Sequence, residues 1–182
     1  IQGALANGIQ VGVYFYSGAS NAREAYDEAS YCISLIRDYQ ITYPVAFDWE
    51  LDGDYDSVTE ACETFCNVIS SYGYQPMVYS NRNRWYNNFD GEKIASKYKV
   101  WMAAYFGKFY YDSVRWTYGD DLPNFRYHYD MWQYSSRCYV DGISGQVDVD
   151  IAFFGYANYH VDTKDAVLTV TNKEIKRTYG EG

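Results

Sequence analysis

Apolar and polar positions change period several times along the chain, and each change predicts an element. Residues 11–16, VGVYFY, are β-branched and aromatic and follow Gly8 of ALANG, so the chain opens with the end of a helix, a glycine stop and a strand. From Asn21 onward, apolar side chains fall at Ala22, Ala25, Ala29, Cys32, Ile33 and Ile36, the rhythm of an amphipathic helix. Asn21 with Glu24 three residues on marks its start as a capping pair. A strand follows at 45–50. Ser57 and Glu60 repeat the capping spacing, and Val58, Ala61, Cys62, Phe65, Ile69 and Tyr72 form a second helical stripe that Gly73 stops. A strand at 76–80, a weaker helical stretch at 83–97 and a strand at 100–105 continue the alternation. Strand and helix in this succession predict right-handed βαβ units and a parallel sheet.

Past Phe106 the rhythm is lost. No clean helical stripe precedes a short strand at 131–134, and a glycine-containing turn, DGISG, leads into a strand at 147–153. The expected barrel therefore finishes with closely connected strands. From Tyr156 the character changes again, with one alternating strand at 167–171 and then a polar tail. The chain of 182 residues suits one domain with a sizeable core plus an appendage, so residues 1–157 are assigned to the domain and 158–182 to a linker and the start of a following module.

Composition narrows the function classes. With 48% apolar and 21% charged residues the balance is globular, and no membrane insertion is expected. The net charge of −9, without a basic stretch, argues against nucleic acid as a partner. Aromatic residues make up 20%, including 23 Tyr and 5 Trp, which fits either a tyrosine-decorated sheet or a cleft in which flat rings meet sugar faces. Cys32, Cys62, Cys66 and Cys138 are too few and too irregular for a disulfide framework, and His128 and His160 lie too far along the chain to complete a zinc site with Cys62 and Cys66. The cysteines read as small buried apolar residues, and neither metal nor cofactor is expected.

The chemistry concentrates in PVAFDWELDGD. An apolar run, 45–47, ends in Asp48 and Glu50 with Trp49 between them. On a strand, residues two apart share a face, with Cα atoms about 6.5–7 Å apart, so the two acids point one way while Phe47 and Trp49 point to the helix layer. The carboxyl end of a strand is where parallel α/β sheets and barrels place ligands. Two such neighbours cannot both ionise freely, and one keeps its proton. Glycosidic cleavage needs that division: one carboxyl to protonate the leaving oxygen, one carboxylate to steady the oxocarbenium-like state. The competing reading is a solvated strand end that runs into Asp52, Asp54 and Asp56.

GVYFYS, AREAYDEASY, PVAFDWE, MVYSN, VWMAAY, WQYSS and GISGQVDVDIAFF, in that order from about Gly3 to Phe154, resemble the lysozymes of glycoside hydrolase family 25. The resemblance implies an α/β fold, a modified TIM-like barrel of five β/α units and three further strands. It also implies cleavage of the β-1,4 bond between N-acetylmuramic acid and N-acetylglucosamine in peptidoglycan. Carried over residue by residue, Glu50 is the general acid, Asp48 is nucleophile or orienter of the acetamido group, and Asp148 is the carboxylate of the last strand. The strand spacing is compatible with inversion, a covalent intermediate or substrate assistance. A family 18 chitinase would need acids two and five residues before Asp48, where Ala46 and Tyr43 stand. Candidates for the sugar cleft are Tyr14, Tyr16, Tyr79, Trp101, Tyr105 and Trp132 with Gln133, each of which also fits a core position.

The family's opening strand with its DVS-like acid, and the helix and strand after it, have no match here. The expected barrel thus lacks its first one or two strands and one acid, with two unpaired edges. The final stretch, TKDAVLTVTNKEIKRTYGEG, resembles the entry to bacterial immunoglobulin-like modules. The expected partner is the peptidoglycan glycan strand, met as a monomer outside the cell or at the wall. The alternative is a wall-binding module that keeps a sugar cleft without cleaving.

Overall fold

The computed structural model describes residues 1–51, 57–117 and 119–154. The strand expected at 167–171 and the acidic positions 52, 54 and 56 lie outside the described residues. A short exposed helix, α1 (Gln2–Ala6), is followed by Gly8 in the left-handed conformation at φ +71°, and then by β1 (Val13–Ser17). The rest alternates: α2 (Ala22–Ile36), β2 (Val45–Trp49), α3 (Val58–Ser71), β3 (Pro76–Asn81), α4 (Arg82–Asn87), α5 (Gly91–Ala95), β4 (Lys99–Ala103), α6 (Gly107–Tyr111), β5 (Met131–Cys138) and β6 (Val147–Ala152). Among the described residues no helix is long and apolar enough to cross a membrane.

Six strands lie in the order β1-β2-β3-β4-β5-β6, the first five parallel and β6 antiparallel to β5. The sheet is curled. If flat, it would hold β1 and β6 about 24 Å apart, yet Tyr14 and Tyr16 of β1 and Asp148 of β6 line one hollow. At the opposite end of the strands, the Tyr43 and Phe154 rings meet with centroids 5.1 Å apart. β1 and β6 form no ladder with each other, so the sheet is an open half-barrel rather than a closed one.

The period-2 alternation sorts the faces. Phe47 and Trp49 of β2, Val78 of β3, Val100 and Met102 of β4 and Trp132 of β5 are buried on the convex face, where they meet Phe65, Ile33 and Ile36 of the helices. Burying a large aromatic there contributes on the order of 2–3 kcal/mol. All four cysteines are free and buried, as their spacing predicted.

Local departures from the expected elements have identifiable causes. Asn21 caps α2 by accepting from the Glu24 N–H at 3.0 Å. Ser57 does not cap α3; its hydroxyl donates instead to the Ser20 carbonyl at 2.7 Å, joining the starts of the two helices. The helical stretch expected at 83–97 breaks in two because Asp90 starts a new helix, accepting from the Lys93 N–H at 3.1 Å. There Gly91 packs against the Tyr127 ring so closely that a Cβ would lie 2.3 Å from it. Between Tyr105 and Met131, where no helical stripe was found, α6 makes a single turn that begins at Gly107 with φ +54°.

Candidate active site

The site is built at the carboxyl end of β2. Asp48 is 5% exposed, and its Oδ1 has no hydrogen-bond partner among the described residues. Burial, then the nearby charges of Glu50 and Asp148, push its carboxyl up to about 7. Glu50 follows one residue past the strand and is half-buried. Its backbone is anchored: Arg84 of α4 donates from Nη2 to the Glu50 carbonyl at 2.7 Å and from Nε to the Leu51 carbonyl at 3.0 Å. Asn81 holds the start of α4 by accepting from the Arg84 N–H at 3.0 Å. Ser80 of β3 donates to the Trp49 carbonyl at 2.7 Å, and the Trp49 indole donates to the Ala19 carbonyl at 3.2 Å. The turn out of β2 is thus held from three sides.

Aromatic rings wall the acids. Strand register sets Tyr16, Asp48, Tyr79 and Trp101 in one row across β1 to β4. Trp101 stands edge-on between Tyr79, with centroids 4.6 Å apart, and Tyr14, at 6.5 Å. Gln133 Oε1 accepts the Tyr79 hydroxyl at 2.7 Å and also the Tyr105 hydroxyl. Burial raises both phenols, that of Tyr105 to about 12, so they act as donors. The resulting hollow of about 170 Å³ is lined by Tyr14, Tyr16, Asp48, Glu50, Tyr79, Trp101, Gln133 and Asp148.

Of the residues singled out from sequence, the structure brings these eight together, with Tyr105 at the rim, 40% exposed and reaching the hollow through Gln133. Trp132 is a correction. It is fully buried on the convex face, donates to the Ala104 carbonyl at 2.9 Å and stacks on Phe106 at 5.5 Å. Adjacent strand residues face opposite ways, so Trp132 and Gln133 cannot both line the cleft. The solvated strand-end reading does not fit Asp48, which is enclosed, and fits Glu50 only in part.

Two residues escaped the sequence reading. Asp150, two past Asp148 in QVDVD, accepts the Trp101 indole N–H at 2.7 Å. Burial raises its carboxyl to about 7, with the Trp101 hydrogen bond pulling down and Asp148 pushing up. The signal was present, since D-V-D repeats the spacing of D-W-E. Arg84 left no such signal, because its role depends on where α4 sits. Beneath the acid-lined hollow lies an apolar one of about 160 Å³, walled by Tyr43, Ala46, Met77 and Met131 and sharing Tyr14 and Trp101 with the first.

Residues 1–143 match the family described as Glycosyl hydrolases family 25, a span that holds Asp48 and Glu50 and stops before Asp148. The chain is 29% identical over 137 residues to a lysozyme of Streptococcus phage Cp-1, covering 70% of this chain and 37% of that protein. It spans between 30% and 48% of the length of the curated relatives it matches. Among solved structures, the modular autolysin LytC from Streptococcus pneumoniae, in complex with a synthetic peptidoglycan ligand, is 28% identical at TM-score 0.63, covering 82% of this chain and 35% of that one. The CTP1L endolysin is 26% identical at TM-score 0.65, covering 83% and 50%. With the match spanning most of the 182 residues and the curled sheet shared with these structures, the chain belongs to family 25 of the glycosyl hydrolases.

Proposed function

We propose that the chain is a peptidoglycan hydrolase acting at the bacterial cell wall, an N-acetylmuramidase that cleaves the β-1,4 bond between N-acetylmuramic acid and N-acetylglucosamine. One observation carries the reading: a buried acid and a half-buried acid, two residues apart, share an aromatic-walled hollow in a family 25 chain. The pneumococcal autolysin solved with a synthetic peptidoglycan ligand supports the choice of polymer.

In this reading Glu50 is the general acid and Asp48 its partner. Burial disfavours charge on Asp48 and pushes its carboxyl up to about 7. A glycan changes that balance. An acetamido N–H that pairs with Asp48 Oδ1 stabilises the Asp48 anion. The proton for the leaving oxygen comes from Glu50. Glu50 donates it as the glycosidic C–O bond breaks, Asp48 steadies the developing positive charge, and a water completes hydrolysis while returning a proton.

Purified cell walls followed by turbidity test the proposal. The chain clears them and Glu50→Gln slows clearing by about 10²–10⁴-fold. Clearing no faster than that of Glu50→Gln ends the enzyme reading, and binding without clearing selects the wall-binding module.

A further inference from the structure

Trp101 occupies an unusual place, since one indole forms part of two hollows. Its upper side borders the acids and its lower side borders the apolar space beside Ala46, Met77 and Met131. Tyr14 and Tyr79 meet it edge-on, which limits the ring without fixing its nitrogen. What fixes the nitrogen is Asp150, whose Oδ1 accepts the indole N–H at 2.7 Å. Hydrogen bonds to a carboxylate are short and strong, and an indole N–H left without an acceptor in a half-buried site is disfavoured. The bond also crosses β5, tying β4 to β6 over the concave face.

We propose that Asp150 is a positioning residue for glycan binding: by holding the Trp101 indole nitrogen it keeps the ring upright as the partition between the two hollows, presenting a flat face to the sugar. The proposal rests on the reading of the upper hollow as a glycan site. Without that acceptor the ring has adjoining apolar space to lean into, and the sugar loses its wall. Asp150 itself does not line the upper hollow. Its loss therefore weakens binding and leaves the bond-breaking groups in place.

Two readouts on the full chain decide it. The first is the indole N–H resonance of Trp101, assigned by its disappearance in Trp101→Phe. Asp150→Leu moves that resonance upfield and speeds its exchange with solvent, whereas Asp150→Asn, which keeps an acceptor oxygen and the side-chain size, leaves it near its original position. The second is wall clearing, in which Asp150→Leu raises the half-saturating wall concentration about tenfold with the maximal rate within about twofold, and Asp150→Asn stays close to the parent in both. An unmoved resonance in Asp150→Leu overturns the proposal, as does a large fall in maximal rate at unchanged half-saturation. Should Asp150→Leu fail to fold, Asp150→Asn decides: a displaced resonance or a tenfold weaker half-saturation there overturns the proposal. If the parent chain neither binds nor clears walls, the glycan reading falls, and the resonance still shows whether Asp150 holds the ring.

Discussion

The carboxyl end of β2 and strand β6 each present two acids at i, i+2, and the two pairs are built in opposite senses. On β2 the first acid, Asp48, is buried and Glu50, one residue past the strand, is half-buried; on β6, which runs the other way, Asp148 is exposed and Asp150 half-buried. Desolvation raises both Asp48 and Asp150 to about 7. The difference lies in what meets them. Asp150 takes an indole N–H, whereas Asp48 Oδ1 meets no donor among the described residues. Asp150 has its hydrogen bond within the fold, and among the described residues Asp48 Oδ1 does not.

The largest effect that can break this contrast is on activity at the two outer acids. In the proposed reading Glu50→Gln lowers wall clearing by about 10²–10⁴-fold and Asp148→Asn by about tenfold, since there Glu50 would supply the proton and Asp148 would only shape the field. Equal losses would erase the distinction between the strands.

Stability tests the deep acid of β2. Its folded proton affinity is raised above the ordinary value of 3.8, so between about pH 4 and 7 the folded chain holds a proton that the unfolded chain has released. Stability falls as pH rises through that window, and the cost is complete above about 7. Asp48→Asn removes it, so thermal melts should show a gain of about 1–3 kcal/mol at pH 8 that vanishes at pH 3.5, alongside lost clearing. A variant no more stable at pH 8 than its parent contradicts the buried, unpartnered carboxylate.

Arg84→Met frees the Glu50 and Leu51 carbonyls, and we expect about a fivefold fall in maximal clearing with little change in half-saturation, since the acid is misplaced rather than removed. A pure binding defect would mean that the turn holds its shape unaided. The smallest effect is at the rim: Tyr105→Phe leaves Gln133 with the Tyr79 hydroxyl alone and should weaken half-saturation about twofold.

Much of this architecture is legible in the chain because it follows from period. The stripes at Ala25, Ala29, Cys32 and Ile36 and at Ala61, Cys62, Phe65 and Ile69 are the buried faces of α2 and α3. The alternation at 47–50 places Phe47 and Trp49 in the core and Asp48 in the hollow. Strand parity, applied to Trp132 beside Gln133, would have removed the tryptophan from the cleft. Contacts between groups far apart in sequence were not legible: Ser57 serving the Ser20 carbonyl, Arg84 gripping the β2 exit, Asp150 gripping Trp101. Each depends on how elements separated in sequence come together, which no local pattern encodes.

Because Tyr14 and Trp101 belong to both hollows, the apolar one offers a remote dial on the acid-bearing one. Ala46 borders the lower space alone and is nearly inaccessible, so enlarging it to valine or leucine would press on the indole from behind. In the proposed reading, grip on the glycan is then tuned by redesigning a residue that lines only the lower hollow.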